Sequence, residues 1–110
     1  MSTPYLDPDR PLYPIGVVAE ILRIPQRILR AYDEKGIVTA TRTVTNRRLY
    51  SLRDMQKIEY VDYLTHVRRV NLAGVREIFN LLDQMTEEKR EEVMSRSGVA
   101  PRTPGKEGSP

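Results

Sequence analysis

Cysteine is absent from this sequence of 110 residues, and histidine occurs once, as His66. Without cysteine the chain forms no disulfide bond and has no thiolate for metal binding, redox chemistry or nucleophilic attack. No group of His, Asp and Glu residues has metal-ligand spacing, and no glycine-rich segment resembles a phosphate-binding loop. We therefore expect no catalytic site, no metal site and no cofactor.

Long apolar runs are also missing. No segment approaches the roughly 20 apolar residues of a membrane-spanning helix, and the start lacks the basic and then apolar pattern of a signal peptide. Hydrophobic residues make up 39% and charged residues 30% of the chain, which is typical of one globular domain. The sequence therefore predicts a soluble, cytoplasmic domain.

Positive charge is concentrated in one part of the chain. The formal net charge is only +3, but segment 23–53 holds eight basic and two acidic residues, so it carries +6 and the remainder carries −3. Arginine outnumbers lysine, 14 to 4, and guanidinium groups suit two-point contacts with phosphate. The pattern predicts a polyanionic partner; an ordinary solvated surface is the alternative.

Two short helices are expected in the first third of the chain. Apolar residues from Ile15 to Leu22 repeat at helical spacing, and Pro25 is well placed as the first residue of a second helix that runs to about Lys35. Gly36 can then adopt the left-handed conformation that ends a helix. Two helices joined by so short a break form a helix-turn-helix candidate. The second helix is expected to turn Ile28, Leu29 and Tyr32 inward.

A β-hairpin is expected after this helix pair. Segment 37–51 is rich in Ile, Val and Thr, which favour strands. A tight turn is predicted at Thr45–Asn46, because asparagine tolerates a positive φ angle. Ser51 and Asp54 then have the spacing of a capping box at the start of a third helix, which is expected to end near His66.

The remaining pattern completes a mainly α, winged helix-turn-helix fold with a small β-hairpin wing and a short C-terminal helix. Asn71 is expected to cap a fourth helix whose apolar stripe reaches Leu82. A short, highly charged helix is predicted after Thr86. The expected boundaries are a flexible N-terminal arm at 1–12, the winged helix-turn-helix domain at 13–82, a short helix with a possible dimerisation role at 83–96, and a disordered tail at 97–110.

The arginines of the helix pair and the hairpin suggest how the domain would bind DNA. The exposed face of the second helix carries Gln26, Arg27 and Arg30, side chains that can recognise base edges in the major groove. Arg47 and Arg48 lie at the predicted hairpin tip, where adjacent like charges repel each other unless something outside the chain offsets them. Contacts of this pair with DNA phosphates would supply that negative charge.

A second pair of arginines, Arg68 and Arg69, lies in the connector between the third and fourth helices. It repeats the arrangement at the hairpin and favours a second wing that contacts the next phosphates. The alternative for the whole surface is a protein-interaction module that no longer binds DNA. The clustering of basic residues argues against that alternative.

Several segments in fixed order, "YPIGVVAEILRI", "RILRAYDEKGIV", "TNRRLYSLRD" and "VNLAGVREI", resemble the MerR family of bacterial transcription regulators over residues 12–82. Within the family, the HspR-type heat-shock repressors are the most similar branch and the GlnR-type nitrogen regulators are the next. Alignment of the predicted recognition helix by Pro25 gives one register, and alignment by Leu29 and Arg30 gives another. The resemblance therefore leaves two possible sets of side chains that would face the bases. The family commonly has glycine where this chain has Thr45 and Arg69.

The resemblance implies a homodimer that binds double-stranded DNA at an inverted-repeat operator in the nucleoid. It further implies repression of chaperone genes with the chaperone DnaK as corepressor. A GlnR-like nitrogen regulator and an excisionase-like protein that bends DNA are the alternatives. The family's Leu-Arg-x-Tyr and Arg-x-Tyr motifs add two tyrosines to the predicted interface. The complete set of predicted DNA contacts is Gln26, Arg27, Arg30, Tyr32, Arg47, Arg48, Tyr50, Arg53, Arg68 and Arg69.

Overall fold

Helices form most of the chain between residues 7 and 96, the part that the computed structural model describes. None of the helices in this part combines the length and the apolar character that a membrane crossing requires. The arrangement confirms the predicted mainly α fold with a small hairpin and a short C-terminal helix. In chain order the elements are β1 (Tyr13–Pro14), α1 (Ile15–Leu22), α2 (Gln26–Glu34), β2 (Thr41–Arg42), β3 (Arg48–Tyr50), α3 (Leu52–His66), α4 (Leu72–Leu82) and α5 (Glu87–Arg96).

Side-chain caps fix the starts of α3 and α4. The Asp54 backbone N–H donates to Ser51 Oγ at 3.0 Å, and the Ser51 N–H donates to Asp54 Oδ2 at 3.0 Å, which confirms the predicted capping box. The Gly74 N–H donates to Asn71 Oδ1 at 2.8 Å. A Cβ atom at residue 74 would lie 2.7 Å from the Val70 side chain, so any larger residue there would force that side chain to shift.

The limits of α2 differ slightly from those predicted. Pro25 is the residue before the helix, in an extended conformation with ψ 145°, and the helix itself begins at Gln26. It ends at Glu34, and Gly36 follows with φ +72°, so the predicted left-handed glycine is confirmed. The Gly36 N–H donates to the Asp33 carbonyl oxygen at 3.0 Å and closes this end of the helix.

The hairpin is the core of an antiparallel sheet with the order β1-β3-β2 among the described residues. Its strands β2 and β3 confirm the predicted hairpin, but β1 was not predicted. Tyr13 lies opposite Tyr50 and Pro14 opposite Leu49, and the Leu12 N–H donates to the Tyr50 carbonyl oxygen at 3.0 Å. A strand of two residues is too short to show a periodic pattern in the sequence. Strand β1 forms because its backbone pairs with the open edge of β3.

The apolar core connects the sheet to all five helices of the described part. Helix α3 contributes five of the sixteen buried apolar residues, more than any other element, and Met94 brings α5 back against the rest of the domain with 4% of its surface exposed. Buried Tyr60 also stacks on Tyr63 and approaches Phe79 of α4, with ring centroids 6.1 and 6.2 Å apart. The buried apolar residues are Val18, Leu22, Ile24, Leu29, Tyr32, Ile37, Val38, Tyr50, Met55, Ile58, Tyr60, Val61, Leu64, Val75, Leu82 and Met94.

The end of the predicted N-terminal arm contacts the first turn of α3. The Arg53 N–H donates to the Pro8 carbonyl oxygen at 2.9 Å, and Arg53 Nε lies 2.6 Å from Asp9 Oδ1. The rest of the arm, residues 1–6, and the predicted tail at 97–110 lie outside the described residues. The domain boundaries therefore stay predictions.

Candidate nucleic-acid interface

A tight turn joins α1 to α2. Arg23 adopts the left-handed region with φ 59°, and its N–H and that of Ile24 both donate to the Ala19 carbonyl oxygen. The Ile24 side chain is buried and anchors the turn in the core. Leu29 anchors α2 in the same way with 1% of its surface exposed. The two helices therefore form the predicted helix-turn-helix, with one face of α2 fixed against the domain.

The opposite face of α2 is polar and exposed. Gln26, Arg27 and Arg30 all lie on the surface, and Arg30 Nη2 donates to Gln26 Oε1 at 2.9 Å. The first turn of α1 is close to this face, since a Cβ atom at Gly16 would lie 3.4 Å from Gln26 Nε2. The helix thus offers amide and guanidinium groups that match the hydrogen-bonding edges of adenine and guanine in a major groove.

Asp33, near the end of α2, binds both strands of the hairpin. Its carboxylate accepts hydrogen bonds from Arg48 Nε at 2.7 Å, from Arg42 Nη2 at 3.3 Å and from the Ala40 backbone N–H at 3.1 Å. The side chain of Asp33 is only 8% exposed. This carboxylate therefore fixes the position of the wing relative to α2.

The ion pair with Asp33 compensates the positive charge of Arg48 within the domain. Burial raises the pKa of the Asp33 carboxyl, but the hydrogen bonds from Arg48, Ala40 and Arg42 and the Arg48 charge outweigh burial and hold that pKa below its usual value. The hydrogen bond to Asp33 in turn raises the pKa of the Arg48 guanidinium. The Arg48 side chain is 16% exposed. This corrects the expectation of an arginine exposed at the hairpin tip, because the offsetting negative charge lies inside the chain.

Arg47 is the arginine that the turn leaves exposed. The Asn46 N–H donates to the Thr43 carbonyl oxygen at 2.8 Å and the Arg47 N–H to Thr43 Oγ1 at 3.0 Å. Asn46 takes the positive φ angle, 66°, and its side chain accepts from Arg42 Nη1 at 2.8 Å. The predicted turn is confirmed. It presents the Arg47 side chain to solvent while its own backbone is held by internal hydrogen bonds.

Arg53, another predicted DNA contact, is instead surrounded by acidic groups. Its guanidinium lies 2.6 Å from Asp9, 2.8 Å from Glu87 and 3.2 Å from Glu91. The hydrogen bond to Asp9 and the nearby acids raise the pKa of Arg53 despite partial burial. Its position in the first turn of α3 directs Arg53 to the arm and α5, and its predicted contact with the DNA backbone stays a prediction.

The connector between α3 and α4 keeps both of its arginines exposed. The backbone here is well defined: the Arg68 N–H donates to the Tyr63 carbonyl oxygen at 3.2 Å and the Val70 N–H to that of Leu64 at 2.9 Å. Arg69 has a φ angle of 59°, in the region that favours glycine. The family's common glycine at this position thus has a conformational reason, and the arginine here retains that conformation.

The two tyrosines that the family motifs added lie in the core. Tyr32 is 5% exposed and Tyr50 is 0% exposed. Burial raises the pKa of both, and that of Tyr50 to about 12. Among the described residues the Tyr50 hydroxyl has no hydrogen-bond partner. Helix α2 and strand β3 turn these positions towards the packed interior, and their predicted contacts with the DNA backbone stay predictions.

We expect Tyr50→Phe to raise the free energy of unfolding by about 1 kcal/mol, because it removes a buried hydroxyl without a partner. The raised pKa of Tyr50 also makes the free energy of unfolding depend on pH in the alkaline range. A proton held more tightly in the folded state stabilises it below pH 10, and that contribution is lost as the pH rises from 10 to about 12. Urea unfolding near neutral pH and across that range checks both effects. A variant less stable than the parent at neutral pH would contradict this assignment.

Residues 13–82 match the model of the family described as MerR HTH family regulatory protein. The chain belongs to the MerR family. Putative heat shock protein HspR of Streptomyces coelicolor is 38% identical over 85 residues, which cover 76% of this chain and 56% of that protein. The HTH-type transcriptional regulator GlnR of Bacillus anthracis is 37% identical over 78 residues, which cover 70% and 59%. The GlnR of Bacillus cereus matches to the same extent.

These comparisons confirm the family resemblance, with HspR and GlnR both among the relatives. The chain spans less than two thirds of the length of the relatives that it matches. In this MerR-family chain the Arg-x-Tyr motif of the wing, Arg48-Leu49-Tyr50, is directed at Asp33 and at the core.

Sequence reasoning missed Asp33 and Arg42 of this MerR domain. A signal existed, since Asp33 and Glu34 are the acidic residues of the otherwise basic segment 23–53. An acid inside a field of arginines favours an internal ion pair. Between residues 7 and 96, no group of three or more His, Cys, Asp or Glu side chains is placed to hold a metal ion.

Proposed function

We propose that the chain is a sequence-specific DNA-binding transcriptional regulator that inserts α2 into the major groove. The observation that carries the proposal is the two-sided environment of α2. Leu29 and Tyr32 fix one side in the core, while Gln26, Arg27 and Arg30 extend from the other. A rigid helix with exposed amide and guanidinium groups is the arrangement that reads base edges.

The wing and the connector would contact the sugar–phosphate backbone. Arg47 at the hairpin turn and Arg68 and Arg69 in the connector are exposed, so phosphates can reach them at little desolvation cost. Arg48 and Arg53 instead have positioning roles, because carboxylates of the chain already neutralise them. Phosphate contacts of this kind set affinity and its dependence on salt, and base contacts set the choice of sequence.

The finer role is a homodimeric repressor of heat-shock or chaperone genes that binds an inverted repeat, with DnaK as corepressor, in the cytoplasm at the nucleoid. The name of the Streptomyces coelicolor relative supports this role, and GlnR-like nitrogen regulation is the second candidate because the GlnR proteins match almost as well. Leu81 and Met85, both exposed near the end of α4, offer apolar surface that a second copy could cover.

Selection of bound duplexes from random DNA tests the proposal directly. A regulator of this kind recovers a discrete inverted repeat, with half-sites one helical turn or a multiple apart. An excisionase-like architectural protein gives a footprint that spreads from its first site. Recovery of unselected sequence would contradict sequence-specific binding.

Arg47→Ala is expected to weaken binding to all duplexes and to reduce the slope of log affinity against log salt by about one unit, because one phosphate contact is lost. Gel shifts or anisotropy over a salt series measure the slope. Arg96→Ala is the matched control, since Arg96 is an exposed arginine at the end of α5 that pairs with Glu92. If both variants lower the slope equally, Arg47 has no specific part in the interface.

A further inference from the structure

A pocket of about 320 Å³ lies between the end of α2 and helices α3, α4 and α5. Its walls come from separate elements, so it exists only because α5 packs back against the domain. None of the predicted DNA contacts lines it. We call it the α5 pocket and define it by Lys57, Arg76, Phe79, Asp83, Arg90 and Met94.

Neutral backbone groups hold the two guanidinium groups of the α5 pocket in place. Arg90 Nε donates to the Leu82 carbonyl oxygen at 3.0 Å, and Arg90 Nη2 donates to that of Met85 at 3.1 Å. Arg76 Nη2 donates to the carbonyl oxygen of Lys35. Carbonyl oxygens orient a guanidinium but carry no net charge to neutralise it. Both side chains therefore keep their positive charge, together with N–H groups that these bonds do not use.

Lys57 increases this excess of positive charge. Among residues 7–96 its ammonium forms no hydrogen bond and no ion pair. Asp83 is the acidic residue of the lining, so three cations and one carboxylate leave the pocket with a charge of about +2 at neutral pH. Elsewhere in this chain, half-buried arginines such as Arg48 and Arg53 are matched with carboxylates. Within residues 7–96, none of the three cations of the α5 pocket forms an ion pair of this kind.

The lining also contains apolar side chains beside the Asn80 amide. Phe79 and Ile37 form one part of the wall and Met94 another. A volume of about 320 Å³ is at the lower end of the range for small-molecule sites, which combine apolar walls with a few polar groups that fix orientation. An occupant that satisfies both features has an anionic end and an apolar, ring-sized body.

We propose that the α5 pocket binds a small organic anion, with a carboxylate or phosphate held by Lys57, Arg76 and Arg90 and an apolar body against Phe79 and Met94. Such a ligand would bridge α5 to the segment that follows the recognition helix. The proposal does not depend on DNA binding, because none of the predicted DNA contacts lines the pocket. Ligand binding can therefore be measured in the absence of DNA.

The test is calorimetric titration of the full chain at constant ionic strength with phenyl phosphate, phenylacetate, phenylacetamide and inorganic phosphate. The two aromatic anions separate a phosphate from a carboxylate preference, phenylacetamide lacks the charge, and inorganic phosphate lacks the ring. We expect at least one aromatic anion to bind, and Lys57→Gln to weaken that binding about tenfold through the loss of one charged contact. The control is Lys89→Gln, because Lys89 is an exposed lysine of α5 that pairs with Glu92. This variant should leave the affinity unchanged.

Four results would overturn the proposal. Equal binding of phenylacetamide would remove the anionic requirement, and equal binding of inorganic phosphate would remove the apolar one. Equal affinities of the Lys57 and Lys89 variants, or no binding of either aromatic anion at millimolar concentration, would show that the pocket is not the site. Far-UV circular dichroism of both variants confirms that the comparison is made between folded proteins.

Discussion

Asp33→Ala is expected to lower the free energy of unfolding by about 3 kcal/mol. The substitution leaves Arg48, whose side chain is 16% exposed, without its carboxylate, and it removes the acceptor of the Ala40 N–H. The exposed Glu34 carboxylate, 3.7 Å from Arg48, compensates this half-buried cation poorly, so the loss exceeds that of the hydrogen bonds alone. The wing also loses its attachment to α2. Urea unfolding followed by circular dichroism measures the change in stability.

Glu34→Ala is the matched control for this experiment. Glu34 is the next residue on the same helix and lies 3.7 Å from Arg48, but its side chain is 67% exposed. Exposed ion pairs contribute little, so we expect a loss below about 1 kcal/mol. If the two variants unfold at the same urea concentration, Asp33 does not hold the wing.

The Asp33 contribution also has a defined pH dependence. The pKa of its carboxyl is lower in the folded state than its usual value, so the folded state favours the ionised form. The stabilisation is therefore fully present above the usual carboxyl pKa and is lost as the pH falls through the folded-state pKa. The stability difference between the parent and Asp33→Asn should shrink over that acidic range and stay constant from there to neutral pH.

Leu29→Ala is expected to cost about 3 kcal/mol of unfolding free energy, because it removes a side chain that is 1% exposed and leaves a cavity under the recognition helix. The outward residues of α2 keep their chemistry, so any loss of DNA binding would report the position and stability of the helix. Thermal and urea unfolding measure the first effect, and binding measured well below the melting temperature measures the second.

Ile28→Ala on the same helix is the comparison for Leu29→Ala. Ile28 was predicted to face inward like Leu29, but it is only half-buried. Its truncation should cost about 1 kcal/mol, since much of the side chain is already in water. Equal losses for the two variants would mean that α2 packs through both positions and that the helix is rotated from the orientation described here.

Local signals predicted the framework of this domain well. The capping box of Ser51 and Asp54, the Asn71 cap and the positive φ angle of Gly36 each depend on residues within four positions of one another. Such interactions form from neighbours in the chain, so their residue types reveal them. The strand β1 was missed, because its pairing partner Tyr50 lies far away in sequence.

The roles of the individual arginines could not be predicted from local sequence signals. The sequence pattern placed Arg47, Arg48 and Arg53 near helix and hairpin ends and predicted the same role, a contact with DNA, for all three. Arg48 reaches Asp33, fifteen residues away, and Arg53 reaches Glu91, thirty-eight residues away. Those partners meet only after the wing folds onto α2 and α5 folds onto α3, so charge patterning alone could not separate positioning arginines from exposed ones.

The sequence by itself determined the order of the helices, their caps, the hairpin turn and membership of the MerR family, because these depend on short-range periodicity and on motifs of adjacent residues. Only the tertiary structure decided which charges remain for a partner. The packing that buries Tyr50 and brings Asp33 against Arg48 neutralises some cations inside the domain and leaves Arg27, Arg30 and Arg47 in solvent. Long-range neutralisation of this kind depends on distances in the folded molecule, which the order of residues does not contain.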